Sequence, residues 1–191
     1  MNDKKNKIII SLAFISLFLV FVIVAFSNRI KINGITNVSN AKWDIYFSDL
    51  STSVKVGDAV EIASPTLSST TISKFSIALR RQKDSISYQF KVINNGTYDA
   101  KIDDIIFKNP TCLGNGTYKT SDEKIMCENF KYKLTYEDGS ELKKGDILLV
   151  GEQKKLNLLL EFNSENSEKK ELPKSDVSIG DIEVKVIYVQ Q

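Results

Sequence analysis

The residues able to do chemistry are few, and their spacing narrows what they can do. Cys112 and Cys127 are the only cysteines, and the chain contains no histidine. Without an imidazole, a serine or cysteine nucleophile has no histidine base, and histidine-based metal hydrolysis is equally excluded. The two thiols are not spaced C-x-x-C and lack the histidine that would complete a typical zinc set, so a redox dithiol or a metal centre is poorly served. A disulfide between Cys112 and Cys127 is the expectation, closing the segment PTCLGNGTYKTSDEKIMC, which reads as a long loop.

Carboxylates are the remaining candidates. Asp103-Asp104 is an adjacent pair, but neighbours on a strand face opposite ways unless a bulge re-aims one. Asp122-Glu123 lies within the cysteine segment and reads as wet surface. No D-x-D-x-D-G run is present for calcium. Catalytic, cofactor and metal residues are therefore expected to be absent, and no small-molecule substrate is evident.

Other local signals are weaker. Leu172-Pro173-Lys174-Ser175-Asp176 has the start of a sortase signal without its Thr-Gly end. Asn37, Asn95 and Asn115 each head an N-x-[S/T] triplet, and Arg80-Arg81 with Lys83 forms a basic cluster expected to face water.

The elements that must position these residues begin with one apolar run, Ile8 to Phe26. About 19 residues make a helix of about 28 Å, close to a bilayer's hydrocarbon core. Lys4, Lys5 and Lys7 against Asp3 precede it, which favours a cytoplasmic N-terminus and an extracellular C-terminal bulk. The chain has 26 basic and 24 acidic residues, and removing this tail leaves 23 of each sign, so nothing points to nucleic acid.

Ala25-Phe26-Ser27 places small residues where a signal peptidase cuts, which would release a chain starting at Asn28. The run is longer than an ordinary signal-peptide core, which argues instead for a retained anchor. The expected organisation is a cytoplasmic tail over 1–7, a transmembrane helix or uncleaved signal anchor over 8–26, a linker over 27–40 and one extracellular domain over 41–191. A second loop is expected from Asn163 to Asp176.

Beyond Asn40 the hydrophobic pattern has period two. Trp43, Ile45 and Phe47 share one face, with Tyr46 on the other. The same alternation runs through Ile86–Val92, Tyr132–Tyr136, Leu156–Phe162 and Ile182–Tyr188, with further strands near 74–79, 100–107 and 147–150. A phase change between Ile102 and Ile105 predicts a bulge at Asp103-Asp104. Asn95-Gly96 and Asp138-Gly139 follow strands as hairpin or turn signals, and Gly57-Asp58, Gly145-Asp146 and Gly180-Asp181 punctuate the chain similarly. Seven to nine strands so separated predict an all-β domain, an antiparallel β-sandwich of immunoglobulin-like type with Trp43 in its core, the alternative being an open sheet or a β-barrel of similar strand count, which periodicity does not distinguish.

The order of the apolar run, AKWDIYF, SISYQFKVINNGTYDAKI and YKLTYEDGSELKKGDILLVGEQKKLNLLLEF resembles the exported β-sandwich surface proteins of low-GC Gram-positive bacteria, in the layout of the camelysin and TasA group. The resemblance implies a cell-surface location and a sandwich fold. Camelysin-type proteins are described as metalloproteases, but with no histidine here no catalytic residue carries over.

The functional expectation is a membrane-anchored, non-catalytic interaction or structural module at the bacterial surface, held to the lipid bilayer through residues 8–26. Its alternative is a cleaved, secreted fibre or matrix subunit in which the segment from Asn28 to about Asn40 donates a strand to a neighbour. An enzyme using only carboxylates, lysine or tyrosine is the third class.

Overall fold

The computed structural model describes residues 41–163 and 171–191. The expected anchor, the Ala25–Ser27 cleavage site and the linker lie outside them. Among the described residues, no helix is long and apolar enough to cross a membrane.

The described residues form twelve strands and one helix in order: β1 (Ile45–Ser48), β2 (Val54–Val56), β3 (Val60–Ala63), β4 (Thr66–Ser68), β5 (Thr71–Leu79), β6 (Ser85–Asn94), β7 (Ala100–Phe107), β8 (Thr111–Gly114), α1 (Lys119–Asn129), β9 (Phe130–Tyr136), β10 (Ile147–Leu148), β11 (Gln153–Phe162) and β12 (Val177–Gln190). They form two antiparallel sheets. One runs β1-β6-β11-β9, with β2 beside β1 on the same edge of β6. The other runs β10-β7-β12-β5-β3, with β4 continuing β3 along β5 and β8 joining β12.

The alternation seen in the sequence places the core. Ile86, Tyr88, Phe90 and Val92 of β6 meet Leu156, Leu158, Leu160 and Phe162 of β11 on one buried face. Opposite them lie Phe75 and Ile77 of β5 with Ile182, Val184 and Val186 of β12. Phe75 and Tyr88 meet edge to face across the sheets with ring centroids 5.5 Å apart, a favourable quadrupole geometry. This is a β-sandwich with its core between the sheets.

Its strand order differs from the immunoglobulin-like one expected. From β5 to β12 every link between strands except β7–β8 passes from one sheet to the other, and the pairs are nested: β5 with β12, β6 with β11, β7 with β10, and β9 with the returning Ser140–Leu142 segment. Immunoglobulin sandwiches also join strands by hairpins within a sheet, whereas nested pairs rolled into two layers are the order of a jelly roll. Periodicity reports which side chains face inward and is silent on which strand lies beside which.

Two turn expectations resolve differently. Asp138-Gly139 makes the β9 hairpin, with Gly139 N–H donating to Tyr136 C=O at 3.0 Å. Gly180-Asp181 is no turn: β12 runs through it, with one register shift against β5 across the pair, a second just after it, and Asp181 at φ 54°. The resulting bend lets one strand pair with β8 over Val177–Gly180 and with β7 over Val184–Gln190. In β7 the predicted bulge is present, since Ile187 faces Asp104 and Tyr188 faces Ile102, leaving Asp103 unpaired in the ladder.

The β5–β6 connection is organised by a buried carboxylate. Asp84 accepts backbone N–H bonds from Asp58 at 3.0 Å and from Arg80 and Arg81 at 2.8 Å each. Gly57 sits against it at φ 71°, where an added Cβ would stand 2.0 Å from an Asp84 oxygen. Only glycine satisfies both the backbone and the space.

Candidate interaction surface

The stretch expected to be a loop between the cysteines contains β8 and most of α1. The Cys112–Cys127 disulfide joins them, with Cα atoms 5.9 Å apart. Met126 and Asn129 are buried on the inner face of α1, and so is Asp122, one and two turns earlier at helical spacing. The wet-surface expectation for Asp122 is therefore overturned. One carboxylate oxygen accepts Lys174 N–H at 3.0 Å, and the other accepts Ser175 N–H at 2.9 Å together with the Ser175 hydroxyl. Burial opposes its ionisation, but these hydrogen bonds outweigh burial and hold the carboxyl below its ordinary range. Asp122 latches the approach to β12, and neighbouring Glu123 accepts Gly114 N–H at 2.9 Å.

The sequence carried a faint signal of this helix. Between Tyr118 and Phe130 there is neither glycine nor proline, and Lys119–Glu123 and Lys124–Glu128 stand four apart, close enough to pair at 4.0 and 3.8 Å. Only Ile125 and Met126 are aliphatic across the helix, too few to mark an apolar stripe.

Asp103 and Asp104 do not converge. Asp103 pairs with Lys144 at 3.0 Å, while Asp104 accepts the N–H of Ile105. Arg80 and Arg81 are exposed and paired with Asp176 and Asp58. No group of three or more acidic or cysteine side chains able to hold a metal occurs among the described residues.

A cleft of about 790 Å³ lies beside the β9 hairpin and is lined by charged side chains including Glu137, Asp146, Lys154 and Lys155. Its charges are internally matched: Lys155 meets Glu137 at 2.7 Å, and Asp146 accepts the Tyr136 hydroxyl and Lys143 N–H at 2.9 Å each. Burial, then the bond and charge of Asp146, raise the Tyr136 hydroxyl well above the ordinary range, which suits a structural donor better than a proton shuttle.

Exposed apolar side chains lie in several places, and four of them fall on one arch. Val54 and Val56 on β2 and Val60 and Ile62 on β3 are 41–60 % exposed. Among the described residues these strands lie on free edges of the two sheets, and they are joined by the Gly57-Asp58 turn. Glu61 anchors the arch from beneath, accepting the hydroxyls of Ser53 at 2.6 Å and Tyr88 at 3.2 Å.

The second exposed region is at Trp43, where the core expectation fails. Its face was read correctly, for Ile45 and Phe47 are buried, yet Trp43 is 48 % exposed because β1 and the core end before it. The backbone around it is held firmly: Asn95 N–H donates to Asp44 C=O at 2.8 Å, Thr97 N–H to Lys42 C=O at 2.9 Å, and Asn95 Nδ2 to Asp44 Oδ2 at 3.0 Å. Gly96 permits this approach, since a Cβ there would come within 2.7 Å of the Lys42 carbonyl. With Ala41, Tyr98, Tyr188, Val189 and Gln190, Trp43 lines an open cup of about 370 Å³. No protein-family model, curated protein or solved structure matches this chain.

Proposed function

We propose that this chain is a membrane-anchored extracellular β-sandwich module that binds or assembles at the bacterial surface without catalysing a reaction. The observation that carries the proposal is the arch of exposed Val54, Val56, Val60 and Ile62 on strands that, among the described residues, form free edges of both sheets. Edge strands bearing aliphatic side chains invite pairing, and proteins usually cover or charge such edges. The apolar run before the domain supports anchorage, and the disulfide suits an oxidising exterior. The resemblance to camelysin- and TasA-type surface proteins supports the same location.

A released fibre subunit is the second reading, favoured by the same open edges, which offer unpaired backbone to a donated strand. A photo-crosslinking amino acid at Val56 in the intact protein on cells tests the surface. The proposal expects a discrete covalent adduct that Val54→Lys with Ile62→Lys removes, and adduct-free protein would overturn it. The mass of the native N-terminus separates the two readings: an intact start supports the anchored module, and a chain beginning at Asn28 supports the subunit.

A further inference from the structure

The cup around Trp43 lies where the described domain begins. Ala41 is on its rim, and the residues from 27 to 40 that separate it from the apolar run number 14. Fourteen residues reach at most about 50 Å even when fully extended. An anchored chain therefore keeps this rim within that distance of the bilayer, which confines the domain to a high effective concentration beside it.

The chemistry of the rim suits that neighbour. Trp43, Tyr98 and Val189 are 48, 37 and 37 % exposed, and Gln190 adds a polar group to the cup. Aromatic rings carrying polar atoms concentrate at the headgroup level of membranes, where one part of the side chain is dry and another wet. Two cations stand close by. Lys42, which pairs with Asp44 at 2.6 Å and keeps about half of its side chain in water, adjoins Trp43 in sequence, and exposed Lys101 is the register partner of Val189. The Asn95–Thr97 clamp fixes the Trp43 backbone before any contact is made, so little ordering is required on docking.

From these observations we infer that the Trp43 cup docks into the headgroup layer of the membrane that holds the chain, setting the sandwich in one orientation with the β2–β3 arch free to meet a partner. The inference rests on the anchored reading. It commits to a lipid surface as occupant; a second copy of the chain, or its own 27–40 segment folded back, are the competing ones.

Trp43 is the only tryptophan, so its fluorescence reports the cup alone. The full-length protein is reconstituted in phosphatidylcholine–phosphatidylglycerol vesicles, with and without bromine on the lipid acyl chains, and flotation in alkaline carbonate is measured on the same samples. Docking predicts that shallow bromines quench Trp43 emission about twofold and deep ones less, as an interfacial ring requires. Tyr98→Ser with Val189→Ser, which removes two exposed side chains, should abolish most of that quenching while the circular dichroism spectrum is retained. Flotation without quenching overturns the docking and leaves the anchor standing. Blue-shifted emission that bromine does not quench also overturns it, and identifies a protein segment as the occupant. Failure to float overturns the anchor and the docking with it.

Discussion

Asp122 and Trp43 exchange the places that their side-chain types suggest. The carboxylate is fully buried beneath α1, and the indole stands half in solvent at the mouth of the sandwich. Around Asp122 the structure is closed, with a disulfide on one side, three hydrogen-bond donors on the carboxylate and Met126 packed on the same helical face. Around Trp43 the backbone is equally well tied while the side chains are left open. Rigidity without coverage distinguishes a surface available for binding from one that completes the core.

The largest effect that can test this contrast belongs to Phe47, which shares the face of Trp43 two pairs of residues further on but is buried against Phe90 with centroids 4.8 Å apart. Phe47→Ala should cost about 3–5 kcal/mol in denaturant unfolding. A loss similar to that of a Trp43 substitution would mean that the core does not end between them.

Next is the closed region. Replacing both cysteines by serine removes a cross-link across a loop of about 15 residues, worth about 3 kcal/mol, and should lower the melting temperature by about 6–12 °C in a domain of this size. Asp122→Asn should cost about 2 kcal/mol by weakening charge-assisted hydrogen bonds that are shielded from water.

That cost should also depend on pH. Folding lowers the Asp122 pKa below its reference value of 3.8, so the stabilisation is complete well above that value and disappears as pH falls through the lower folded-state value. The stability gap between wild type and Asp122→Asn should thus narrow on acidification below about pH 4. A gap that widened there would contradict the assigned latch.

Trp43→Ser should give the smallest change, within about 0.5–1 kcal/mol, because much of the indole is already in water. A loss of several kcal/mol in the isolated state would place Trp43 in the core after all.

The inward sets of β6, β11 and β12 were legible in the sequence because both faces of a half-buried strand leave a period-two record. The disulfide was legible because two lone cysteines have one intramolecular partner each. Helix α1 was obscured because its inner face uses Asp122 and Asn129 around Met126, so burial there follows hydrogen-bond satisfaction, which hydropathy does not record. Gly180-Asp181 looked like a turn because a bulge and a turn use the same residues, and only the pairing of β12 with strands on both its edges separates them.

By itself, the sequence determined the apolar run, the lack of imidazole chemistry, the cysteine pair and the faces of the long strands, since each depends on residue type or local spacing. Only the tertiary structure decided the nested jelly-roll order, the burial of Asp122 and the exposure of Trp43. Those depend on where the core stops and which distant backbone supplies a donor, and no local pattern carries that information.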